Sequence, residues 1–150
     1  MMKSSFRALL GTGVAATAIG ASVLTAGVAV ADVILPVGPQ GVTYIRTQSG
    51  QTLCGIQGDV VRCTVQFVNP PLTGAGDVAN SVSLNQDGSL TYAAADLGQV
   101  DPLNTIEYGQ SYIANGWSVD ASSGGTRFMN LDSSQSFWVS VDGASALGVA

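Results

Sequence analysis

Cys54 and Cys63 are the only cysteines of the 150-residue chain, and eight residues separate them. A redox or metal pair needs a C-x-x-C spacing or further soft ligands, and the chain has no histidine to supply one. In an exported protein two such cysteines read as a structural disulfide. If Gly58 and Asp59 form a two-residue turn, Gln57 faces Val60, Ile56 faces Val61, Gly55 faces Arg62 and Cys54 faces Cys63. Bonded and non-bonded pairs alternate outward from such a turn, which puts the cysteines at a non-hydrogen-bonded site, where side chains approach most closely. Period-two alternation then places Cys54, Ile56, Val61, Cys63, Val65 and Phe67 on one core-facing side.

Catalytic chemistry is poorly supplied. A Ser/His/Asp hydrolase needs a base for its nucleophile, and beyond Lys3 there is neither histidine nor lysine. Glycoside hydrolysis needs only two carboxylates about 5 to 10 Å apart, for which Asp96, Asp101 and Glu107 are the candidates. They stand near Gly98, Pro102 and Asn104, where aspartate also serves as a turn former. Calcium needs several carboxylates and loop carbonyls. Asp77, Asp87, Asp96, Asp101 and Asp132 fall in loops, but with no EF-hand or nonapeptide spacing. P-loop, Gly-x-Ser-x-Gly and zincin signatures are missing as well. The expectation is a protein with no catalytic residue, no metal and no cofactor.

Binding chemistry rests on the aromatic residues. If Phe137, Val139 and Val141 face a core, Trp138 points outward, where an indole suits a sugar ring or a protein partner. Tyr108 and Tyr112 flank Gly109 and either join Trp138 as ligand contacts or pack. Trp117 shares the face of Val119 and reads as core.

The elements that must position these residues are short. Alternating runs separated by Gly, Asn, Asp and Ser place strands near 42–47, 52–57, 60–67, 81–85, 89–93, 105–108, 111–121, 126–131 and 136–141. No segment carries a sustained helical stripe. Residues 69–80, with Pro70 and Pro71, read as a long surface loop, and 94–104 reads as holding one helical turn. Both are candidate crossovers between two sheets. Asn85 to Gly88 suits a type I turn with Gly88 left-handed in a bulge, opposing Leu84 to Leu90 and Val82 to Tyr92.

A second hairpin overlays the cysteine hairpin at the same spacing. Centred on Ser123 and Gly124, it opposes Asp120 to Arg127 and Val119 to Phe128, so that Arg62 and Arg127 match. A true duplication would give two similar halves packed as a pseudo-symmetric sandwich. The fold class expected is all-β, a small antiparallel β-sandwich or barrel-like domain built of hairpins and preceded by a signal peptide.

Lys3 and Arg7, an uncharged run from Ala8 to Val30, and the small-x-small end Ala29-Val30-Ala31 have the form of an export signal covering 1–31. Residues 32–41, with Pro36, Gly38 and Pro39, read as a flexible N-terminal segment, and 42–150 as a single β domain. Gly11, Gly13, Gly20 and Gly27 make the apolar run a weak permanent anchor. Leu24-Thr25-Ala26-Gly27 resembles the start of a lipoprotein signal, but Val28 stands where the lipid-bearing cysteine would be. The expectation is a released chain with no stable membrane anchor. After cleavage Arg46, Arg62 and Arg127 remain against ten acids, a net charge of −7. That sign repels nucleic acid and anionic lipid, which need clustered basic residues.

Tyr44, Thr47, Ser49, Gly50, Cys54, Val61 and Cys63, then Ser83, Asp87, Gly88 and finally Tyr108-Gly109-Gln110-Ser111, together resemble small secreted cell-envelope domains of mycobacteria and related actinomycetes. The likeness spans 45–140, and its motifs are short and mostly turn-forming. It implies an envelope or secreted location and a compact β domain, with no established activity. Members often carry a second cysteine pair where this chain has Val119 and Phe128. The functional expectation is a secreted, non-enzymatic domain that binds a protein partner or glycan in the cell envelope, through Trp138, Tyr108 and Tyr112. The alternatives are a purely structural exported protein, or a carboxylate hydrolase or calcium module.

Overall fold

Each strand is a short run whose alternate side chains are apolar, and each turn is marked by residues that tolerate unusual backbone angles. A computed structural model describes residues 31–98 and 100–149, and the export-signal reading of 1–31 lies, but for Ala31, outside the described residues. Among the described residues twelve strands follow one another: β1 (Val33–Leu35), β2 (Thr43–Thr47), β3 (Thr52–Ile56), β4 (Val60–Val65), β5 (Ser81–Asn85), β6 (Leu90–Ala93), β7 (Leu103–Ile106), β8 (Ser111–Ala114), β9 (Trp117–Ser122), β10 (Gly125–Asn130), β11 (Gln135–Ser140) and β12 (Gly143–Val149).

They form two six-stranded sheets. Sheet A has the order β1-β8-β9-β10-β11-β12, and sheet B the order β6-β5-β4-β3-β2-β7. Each is a five-stranded antiparallel meander with one parallel strand added at its edge, β1 against β8 and β7 against β2. The first strand of each half therefore joins the sheet of the other half. This reciprocal exchange gives the two halves, β1–β6 and β7–β12, the same topology, and supports the pseudo-symmetric sandwich suggested by the matching hairpins. Both sheets are mixed rather than purely antiparallel, because the exchanged strands pair in parallel.

The interior is filled from both inner faces. Ile45, Ile56, Val61, Val82, Leu84 and Ile106 of sheet B meet Trp117, Val119, Phe128, Phe137 and Val139 of sheet A in one buried cluster. Trp117 tilts against Phe137 with centroids 6.2 Å apart. Its indole N–H, which would be costly to bury unpaired, donates to the carbonyl of Gln57 across the sheets at 2.9 Å. Asn130 likewise donates to Gly58 O, and Asn115 to Ile56 O. These bonds tie each sheet to a turn or strand end of the other.

Both hairpin registers hold. Gln57 N–H donates to Val60 O at 2.9 Å, Cys54 faces Cys63 with Cα atoms 4.0 Å apart, and the two are disulfide-bonded. In the second hairpin Asp120 faces Arg127 and Val119 faces Phe128. The turn before β6 also forms, with Gly88 at φ +95°, Leu84 opposite Leu90 and Val82 opposite Tyr92.

Other readings give way. The run 111–121 is two strands, because Asn115 and Gly116 both take positive φ in a hairpin turn. Residues 32–41 are not wholly loose, since Val33–Leu35 pairs with Tyr112–Ala114. Residues 69–80 do not cross between sheets. They connect the neighbouring strands β4 and β5, and Leu72 bridges Val78 around a turn closed by Thr73 and Asp77. The strand expected at 105–108 lies at Leu103–Ile106, and Gly143–Val149 adds a twelfth strand. No helical turn forms over 94–98 or 100–104. That segment links β6 to β7, at opposite edges of sheet B. Five strand spacings of about 4.8 Å amount to roughly 24 Å, while ten residues reach roughly 33 Å at full stretch, so the connection runs across the outer face with little slack.

Candidate functional site

The outer faces of the two sheets carry one polar row each, in matching positions. On sheet A the row runs Ser111, Asp120, Arg127, Trp138, Ser145. On sheet B it runs Tyr44, Gly55, Arg62, Ser83, Thr91. Arg127 and Arg62 occupy the fourth strand of their respective halves.

In the sheet A row Arg127 approaches Asp120 at 3.8 Å and donates to Ser136 Oγ at 3.1 Å, while Ser111 donates to the other oxygen of Asp120. Both charges are about 40 % exposed, so the pair contributes only a few tenths of a kcal/mol. Trp138 stands beside Arg127, half-buried and outward, as the alternation of β11 requires. Its six-membered ring lies close over Gly125, where a Cβ would come within 2.4 Å of Cζ2, so only glycine leaves room for the indole. Beyond the ring a shallow depression of about 350 Å³ is lined by Tyr92, Ser140, Asp142 and Ser145.

Tyr108 lies elsewhere. Its backbone N–H donates to Gln48 Oε1, and the residue borders a small cleft of about 60 Å³ at one end of the sandwich, with Thr47, Ser49, Ser122 and Ser123. Trp138 does not line this cleft, although the Gly124 and Gly125 turn separates the two. Tyr112 is not a ligand contact. It is 5 % exposed, and its hydroxyl accepts the Glu107 N–H at 2.8 Å. The turn at Asn115 and Gly116 reverses which face Tyr112 presents and puts it opposite Val119 in the core. The three aromatic residues thus do not form one site.

Of the candidate carboxylates, Asp96 and Asp101 lie in the segment between β6 and β7, and Glu107 lies beyond β7. Asp96 accepts a long hydrogen bond from Asn80 Nδ2 at 3.5 Å, Asp101 borders a depression beside Tyr44, and Glu107 sits in the β7–β8 turn. Among the described residues no three acidic, cysteine or histidine side chains come together as a metal site. Asp87 has its carboxyl held below the usual range because the Ser89 hydroxyl and N–H both donate to it, at 2.6 and 2.9 Å. This is a turn-closing role rather than a reactive one.

The feature not read from the sequence is a groove on the outer face of sheet B. Asp96 and Leu97, in the segment after β6, flank Arg62, which stays exposed, and border with it two depressions of about 220 and 100 Å³. The signal was present in the registers: Arg127 faces an acid, whereas Arg62 faces Gly55.

Among the described residues no helix is long and apolar enough to cross a membrane. No protein-family model, curated protein or solved structure matches the chain.

Proposed function

We propose that this is an exported, non-enzymatic binding domain of the bacterial cell envelope, and that the outer face of sheet A around Trp138 takes a glycan. The observation that carries this reading is an outward indole held in place by Gly125 and bordered by Arg127, Asp142 and hydroxyl side chains. An aromatic face accepts the C–H side of a sugar ring, and the polar rim accepts its hydroxyls. The disulfide supports an oxidising location, and the likeness to small secreted actinomycete domains supports the envelope. A protein partner using the same face is the alternative ligand. A glycan array probed with wild type and Trp138→Ala tests the proposal. A signal lost in the variant is expected, and no signal, or one unchanged by the substitution, refutes the sugar platform.

A further inference from the structure

Four observations converge on the opposite sheet. First, the two central arginines occupy matching registers, yet Arg127 has Asp120 beside it at 3.8 Å, whereas the residue facing Arg62 is Gly55. Among the described residues Arg62 makes no ion pair within 4 Å. Second, an acid cannot simply be placed at Gly55, because a Cβ there would fall 2.9 Å from Cε1 of Tyr44, whose ring covers the glycine. Third, Thr64, two residues along the same face, has a buried hydroxyl with no hydrogen-bond partner among the described residues. Such a group normally has a partner. Fourth, the two cavities over this face share Arg62, Asp96 and Leu97. The larger also takes in Thr64 and Ser83, and the smaller Tyr44 and Gly55.

We infer that this groove binds a sugar carrying one carboxylate, a uronate, with the ligand's carboxylate on Arg62 in the role that Asp120 plays for Arg127. Arg62 supplies a planar fork for a carboxylate. Ser83 offers a hydroxyl partner, Asp96 accepts from a ring hydroxyl, and Tyr44 with Leu97 bounds the apolar side. Asp96 and the negative chain as a whole disfavour a dianion such as phosphate, and they leave Arg62 to neutralise a single charge. The larger cavity, about 220 Å³, is below the roughly 300 to 1,000 Å³ of drug-sized pockets, which suits one ring. The segment that borders it is anchored, since Asn80 Oδ1 accepts the Ala95 N–H at 2.9 Å.

The test is an amide NMR titration of the purified protein with glucuronate, its methyl ester, glucose and inorganic phosphate. Glucuronate should give saturable shifts at Gly55, Arg62 and Ser83, with the other three bound about two- to fivefold more weakly, as an exposed charge pair allows. Arg62→Gln should weaken glucuronate by a similar factor, and Asp96→Asn should not weaken it. The ester comparison needs no variant and decides the matter even if Arg62→Gln fails to fold. Equal binding of the acid and its ester, tighter binding of phosphate, or no saturable shift overturns the inference. Loss of the shifts on Trp138→Ala would also overturn it, by moving the binding to sheet A. That variant is expected to leave this site unchanged.

Discussion

Breaking the Cys54–Cys63 bond gives the sharpest expectation about stability. The bridge closes a ring of about ten residues, and the chain-entropy relation assigns such a ring about 2.7 kcal/mol at 25 °C. At about 2.1 cal/mol/K of unfolding entropy per residue, the roughly 120 residues of the compact unit Ala31–Ala150 give about 0.25 kcal/mol/K, so the melting temperature should fall by about 11 °C. Both cysteines are fully buried, so reductant reaches the bond only when the domain opens. The protein should therefore be reduced in denaturant and refolded with reductant present. A Cys54→Ala, Cys63→Ala variant loses the cross-link and also two buried sulfur atoms at about 1 kcal/mol each, which adds about 8 °C. Scanning calorimetry of oxidised, reduced and double-alanine protein, with thiols counted, separates the two contributions. A reduced protein with two free thiols that melts within about 3 °C of the oxidised form would refute the reasoning.

Three further expectations follow from particular contacts. Phe128→Ala empties the position matching Cys63 in the sheet A hairpin, where the side chain is 1 % exposed, and should cost about 3 to 5 kcal/mol in denaturant unfolding. Tyr92 donates to Ala144 O and accepts Ala144 N–H, so Tyr92→Phe should unpin β12, cost about 1 kcal/mol and speed hydrogen exchange at the Ala144 amide. Asp87 has a folded pKa below its unfolded value, so its contribution to stability is full above the ordinary carboxylate range and is lost as pH falls through the lowered folded value. A carboxyl NMR titration should place Asp87 below the usual midpoint in wild type and closer to it in Ser89→Ala, while equal midpoints in the two proteins would contradict the hydrogen-bond cause.

The hairpins were legible because two local signals agree in them: a turn with small or positive-φ residues, and side chains that alternate inward and outward on both sides of it. That agreement fixed the partner of Cys54 and of Val119 without any long-range information. At Asn115-Gly116 the two signals compete: the pair is a strong hairpin mark, while the apolar run on either side of it reads as one continuous strand. With 111–121 as one unbroken strand, Tyr112 is open either to ligand contact or to packing, since such a strand would set it on the face opposite Trp117. The turn reverses that parity and buries it. Strand β12 carries no such local mark. Gly143-Ala144-Ser145-Ala146 has neither the residue types nor the alternation of a strand, and it becomes one because β11 offers it an edge to pair with. The exchange of β1 and β7 between halves is a matter of pairing across the chain, which no local pattern encodes. The groove over Arg62 lay between these cases, since comparing the residues opposite the two arginines exposes it.

The two tryptophans allow a direct test of the binding face, because Trp117 is fully buried and hydrogen-bonded to Gln57, whereas Trp138 is partly exposed on the outer face. Intrinsic fluorescence with acrylamide as quencher, titrated with a mycobacterial envelope polysaccharide as the probe, therefore reads Trp138 alone. The polysaccharide should protect wild-type emission from quenching, and Trp138→Phe, which retains only Trp117, should show no change. Quenching of the wild-type protein that is unaffected by that polysaccharide would contradict the glycan-binding face.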